Sequence, residues 1–133
     1  MKYIYTSIFL FIVVAVNGQK KSTEKIVQAN LDAYNNRDIE TFMFYISDSI
    51  KVYNFGEPEP VIDGKSEVKE VYKSYFNSSP NLHSKIIKRI IFDNKVIDYE
   101  HITGARGNDK AFEIILIYEV HKNKIVKMTS IRK

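Results

Sequence analysis

The chain of 133 residues contains no cysteine. That excludes a disulfide, a thiolate nucleophile and any cysteine-ligated metal. It also lacks a nucleotide-binding motif, a nucleophile motif, an internal repeat and a low-complexity stretch. Nor does it hold an apolar run fit to cross a bilayer. The longest, Ile4–Val16, falls short of the roughly 20 residues a spanning helix needs, and polar residues follow it directly.

What that run has is the layout of a secretory leader. Lys2 precedes it, and Val16 and Gly18 supply small residues at the −3 and −1 positions of a cleavage before Gln19. Residues 1–18 are therefore expected to be a signal peptide, giving an exported protein, periplasmic or secreted, with no stable membrane anchor. Residues 19–133, about 115 in number, suit one domain with one unstapled core. Formal charge is +4, and +3 without Lys2. Lysines in 85–88 and 122–133 alternate with apolar residues, which reads as a solvated sheet face. No interleaved aromatics accompany them, so no nucleic-acid partner is expected.

Periodicity divides the rest. "STEKIVQANLDAYNNRD" has helical spacing, with Ser22 or Thr23 as cap and Ile26, Val27, Leu31 and Tyr34 on one stripe. Asn30 falls on the same stripe, an unusual residue for a core position. A short second helix places Ile39, Phe42, Met43 and Ile46 on one face. Ile50–Phe55 alternates as a strand, "GEPEPVIDG" is a loop, and a third helix runs from near Gly64 until "NSSPN" stops it. From Leu82 the period becomes two, and residues 82–92, 95–104, 111–121 and 124–132 read as four strands. Short turns between them imply an antiparallel meander. The class is α+β, with helices packed on one face of a curved sheet.

Within "VIDYEHITG" (96–104), two acids and a histidine fall in four positions. Alternation puts Asp98 and Glu100 on one strand face, and Tyr99 and His101 on the other. They therefore cannot form a dyad within this strand.

Together, "IVQANLDAYNNRDIETFMFYISDSIKVYNF", "DGKSEVKEVYKSYF" and "IYEVHKNKIVKMTSI" resemble the NTF2-like superfamily, and within it the SnoaL-like group. The resemblance covers about residues 24–132. It implies a cone, with three N-terminal helices packed on a curved antiparallel sheet enclosing a pocket, and a homodimer through the outer sheet face. Set against ketosteroid isomerases, Asn30 falls at a tyrosine position, Asn54 at the base and Tyr118 at the third site. An amide does not titrate near neutral pH, so isomerase chemistry is not expected. Set against limonene epoxide hydrolases, His101 falls at an arginine and Thr103 and Ser130 at two aspartates, so the water-activating carboxylates are missing.

The resemblance also places His101 inside, which sends Asp98 and Glu100 outward, as expected of acids without partners. The next strand offers Phe112, Ile114, Leu116, Tyr118 and Val120 to the interior. Ile115 and Ile117 then lie outside among charges, where a second copy could dock. The expected ligand-binding pocket comprises Asn30, Tyr34, Asn54, Tyr99, His101, Phe112, Tyr118, Met128 and Ser130. Such a composition suits a small, largely apolar molecule, with His101 as the candidate acid or base. His83 has no assigned facing, and His121 reads as exposed. No metal and no cofactor are expected, because these histidines do not converge. Three functions fit this sequence: a binding domain, an isomerase- or hydrolase-type enzyme using His101, and an association module whose pocket is plugged by Phe44, Tyr34 and Met128.

Overall fold

A computed structural model describes residues 22–108 and 110–133. The expected leader, residues 1–18, lies outside the described residues. The first helix, α1 (residues 22–35), already includes Ser22 and Thr23, so neither is its cap. It buries Val27, Leu31 and Ala33. Asn30 earns its place on that stripe by donating its amide to the Phe42 carbonyl at 3.0 Å, which ties α1 to α2 (Ile39–Phe44). Asp38 caps α2 by accepting from the Thr41 amide at 3.1 Å. The helix stops at Phe44. Ile46, which helical spacing gave to α2, instead opens β1 (Ile46–Asn54) and is fully buried there.

A two-residue strand, β2 (Ile62–Asp63), pairs antiparallel with β1 inside the segment expected to be loop. Helix α3 (Lys65–Asn77) follows, then β3 (His83–Phe92) and β4 (Lys95–Thr103). A 3-10 turn, Ala105–Gly107, leads to β5 (Phe112–His121) and β6 (Lys124–Arg132). The sheet is six-stranded in the order β2-β1-β6-β5-β4-β3. Strands β3 to β6 form the expected meander, but β1 joins β6 in parallel, so the sheet is mixed rather than wholly antiparallel. Parallel neighbours need a long crossover, and here it contains α3 and the meander. Helix α3 consequently follows β1 and is not N-terminal to the sheet. Val27, Phe42, Val68 and Phe76 of the helices share one core with Ile50, Val96, Tyr118 and Ile125 of the sheet.

Two local features shape the interior. The β3–β4 register slips between Ile86 and Lys88, a bulge at Ile87. Residues 84 and 89 differ by an odd number and would otherwise face opposite ways. The bulge turns both Ser84 and Arg89 toward the helices. At the end of β4, Gly104 has φ +71, and a Cβ there would sit 2.1 Å from the Asn81 carbonyl oxygen. Only glycine lets the chain turn that closely into Ala105–Gly107.

Candidate functional site

Strand β4 alternates as the sequence requires, but its faces are reversed from expectation. Val96 and Asp98 are 0% exposed and Glu100 1%. Tyr99 and His101, expected in the pocket, lie on the outer face instead. There the Tyr99 hydroxyl donates to Glu113 at 2.6 Å, and His101 sits in register between Lys85 and Glu113. The physical reason is that each acid has an inward-facing partner from β3. Arg89 holds Asp98 through two bonds of 2.7 Å, from Nε to Oδ1 and from Nη2 to Oδ2. Its remaining nitrogen, Nη1, donates to Gln28 of α1 at 2.7 Å. Ser84 Oγ donates to Glu100 Oε2 at 2.6 Å. Ser84 itself is fixed by Asn35 of α1, which accepts from its amide at 2.7 Å and donates to its carbonyl at 3.0 Å.

Glu100 forms part of the wall of a cavity of about 530 Å³ between the sheet, α1 and α3. Of the residues expected around a pocket, Asn30 and Tyr34 of α1, Asn54 of β1, Phe112 and Tyr118 of β5, and Met128 and Ser130 of β6 line it. Sequence reasoning missed Glu100 itself, Tyr72 and Tyr75 of α3, and three cations, Arg106, Lys110 and Arg132. One signal for the inward face was present. The two-residue turn Asp93-Asn94 fixes the register, and counting back from it sets Arg89 opposite Asp98. His83 and His121 are exposed. Among the described residues no three histidines and acids converge on a metal position. Phe44 is 62% exposed and does not plug the cavity.

Burial pushes the Glu100 carboxyl up to about 7. The Ser84 hydrogen bond opposes that rise, the neighbouring Asp98 charge reinforces it, and Tyr118 and Arg89 oppose it. Tyr118, 4% exposed, donates to Glu100 Oε1 at 3.4 Å, and burial raises its own hydroxyl well above the usual phenol value. Burial pushes Tyr72 up to about 12. Tyr34, raised by burial and by its 3.1 Å hydrogen bond with Tyr75, is also a neutral phenol. The site thus offers one carboxyl present in both protonation states near neutrality, beside phenols that can only donate or accept hydrogen bonds. A carboxyl so placed can give or take a proton.

No curated protein matches the chain in sequence. Solved structures match in fold. An uncharacterized cystatin-fold protein from Novosphingobium aromaticivorans superposes with a TM-score of 0.75 at 23% identity, over 83% of this chain and 97% of that one. A putative ketosteroid isomerase from Kribbella flavida gives 0.73 at 13%, over 86% and 80%. An epoxide hydrolase of the LEH-like type from M. tuberculosis gives 0.73 at 17%, over 86% and 84%. The family model described as a SnoaL-like domain matches residues 27–128. That match spans most of the chain, which therefore belongs to the SnoaL-like domain family.

Proposed function

We propose that the cavity binds a small, largely apolar molecule and that Glu100 exchanges a proton or a hydrogen bond with it. The observation that carries this reading is a carboxyl 1% exposed, held by Ser84 and Tyr118, in the wall of an open cavity of about 530 Å³. That volume lies within the roughly 300–1,000 Å³ usual for small-molecule sites. A buried acid without a structural counter-ion of its own lowers stability, so its presence favours a role toward a ligand. Glu100 takes the acid/base place that His101 was expected to hold. It also supplies the carboxyl that alignment on Asn54 left missing. Proton-transfer chemistry, of the kind implied by the Kribbella protein's description as a putative ketosteroid isomerase, becomes the enzymatic form of the same reading.

Calorimetry with a neutral apolar probe such as Nile red tests it. An apolar ligand removes the last water from Glu100 and raises its pKa further. Binding near pH 7.5 is then expected to take up a fraction of a proton, visible when buffers of different ionisation enthalpy are compared. Glu100→Gln should still bind but take up none. Leu116→Trp, which fills the cavity, should weaken binding by more than about tenfold. Saturable binding unaffected by Leu116→Trp would place the ligand elsewhere and end the proposal.

The outer sheet face supports the homodimer reading. Ile90, Ile97 and Ile117 align across β3, β4 and β5, and Tyr99, Ile115 and Ile131 form the adjacent row. Glu113, Glu119 and Lys127 border these rows, and a two-fold axis can pair such mixed charges with themselves. Ile115→Lys combined with Ile117→Lys is expected to give a folded monomer by light scattering. A wild type that is already monomeric at micromolar concentration would remove this part of the reading.

A further inference from the structure

The charges around the cavity are not evenly spread. Among the described residues Glu100 is the one acid in its lining, and it is almost wholly buried. The cations Arg106, Lys110 and Arg132 are all exposed, so they stand at the mouth. They come from two places in the chain: Arg106 and Lys110 from the connection between β4 and β5, and Arg132 from the end of β6. Arg106 lies with its guanidinium 5.9 Å from the centre of the Tyr75 ring, itself part of the lining, and this holds the charge over the opening. Arg132 is in register with Ile114, and Ile114 with Glu100, so its side chain belongs to the same inner face of the sheet. Among the described residues none of the three cations forms an ion pair. The other part of the mouth is apolar: Val61 and Val71 line it while 46% and 43% exposed.

We infer that the ligand is an anionic amphiphile, an apolar body with a single negatively charged head such as a carboxylate, the head held among Arg106, Lys110 and Arg132. This rests on the reading of the cavity as a binding site and adds the class and orientation of what fills it. The apolar body enters first, past Val61 and Val71, toward Phe42, Ile114 and Met128. The reverse orientation would bring an anion into the apolar interior beside the Glu100 carboxyl, where it would lose its hydration and face a like charge. With the head outside, it keeps part of its water and meets the three exposed cations of the lining. Each such exposed, screened pairing is worth up to a factor of about five in affinity, so the head is expected to tighten binding by about tenfold in total rather than by many decades.

Displacement of Nile red from the purified protein by sodium decanoate, by decanol and by decyltrimethylammonium reads this directly. At pH 7 and low salt, decanoate is expected to bind about tenfold more tightly than decanol, and decyltrimethylammonium more weakly than either. Raising sodium chloride to about 0.5 M should remove most of the decanoate advantage by screening. Arg106→Gln combined with Arg132→Gln should shrink the ratio of decanoate to decanol affinities to about two. Lys25→Gln combined with Lys73→Gln removes the same amount of charge at exposed positions outside the cavity and should leave the ratio unchanged. Equal binding of decanoate and decanol would overturn the anionic head while leaving the cavity reading intact. A preference that survives in the Arg106/Arg132 variant, or that falls equally in the Lys25/Lys73 variant, would overturn the mouth as its source. Failure of all three compounds and of the dye to bind would remove the binding reading itself, and the amphiphile with it.

Discussion

Arg89→Ala is expected to destabilise the domain by about 3–5 kcal/mol, because it leaves the Asp98 carboxylate buried without a counter-charge. Asp98 is 0% exposed and both its oxygens are held by the guanidinium at 2.7 Å. The same side chain reaches Gln28 at 2.7 Å and lies 3.9 Å from Glu24, so α1 loses one of its two ties to β3 at the same time, the Asn35–Ser84 pair remaining. For a domain of this size such a loss lowers the melting temperature by something on the order of 20 °C. Urea denaturation followed by circular dichroism measures the effect. Replacing both partners, Arg89→Leu with Asp98→Leu, should recover most of the loss, since removing a buried pair together is often near neutral. A cost below about 1 kcal/mol for Arg89→Ala would mean that water already reaches Asp98, and that the ion pair is not what turns this face of β4 inward.

Glu100→Gln should raise stability, and only above mildly acidic pH. The Glu100 carboxyl lies near 7 in the folded chain against an ordinary 4.5, the largest cause being burial. The folded state therefore holds this proton over a range where the unfolded state has released it. Folding stability contributed by this group is complete below pH 4.5, falls as pH rises from there to about 7, and is level above. The drop corresponds to roughly 3 kcal/mol. The groups facing Glu100 are Ser84 of β3, Tyr118 of β5, Tyr34 of α1 and Tyr72 of α3, with the Asp98–Arg89 pair alongside. Glutamine keeps the shape and removes the charge. The variant should match wild type near pH 4 and exceed it by up to about 3 kcal/mol near pH 8. Chemical denaturation at both pH values measures the difference, and other carboxylates cancel in the comparison. Parallel stability curves from pH 4 to 8 would show that Glu100 ionises as an ordinary exposed acid. A side chain that lowers the stability of its own fold is the kind retained for function.

These two residues mark where reading the sequence stopped. Local physics settles a great deal of this protein. Helical spacing through Val27 and Leu31, the change to a period of two at Leu82, and the turns at Asp93-Asn94 and Lys122-Asn123 are properties of neighbours along the chain. They locate nearly every element of the α+β fold. Alternation also shows correctly that His101 can form no dyad with Asp98 or Glu100, because it depends only on backbone pleating. Which face of β4 points inward is another kind of question. Both faces carry apolar and titratable residues, so the strand's own composition does not decide it. The decision comes from β3, where the bulge at Ile87 turns Arg89 and Ser84 to the same side and gives each acid its partner. The parallel pairing of β1 with β6 was hidden for a similar reason, since no turn joins them. The mouth of the cavity sets Arg132, at the end of β6, beside the loop that carries Arg106 and Lys110, and only the pairing of strands in the sheet brings the two stretches to one cavity. The sequence determined the elements because propensity and periodicity act within a few residues. Tertiary structure decided the site, because a buried charge is tolerated or excluded according to what lies across from it in space.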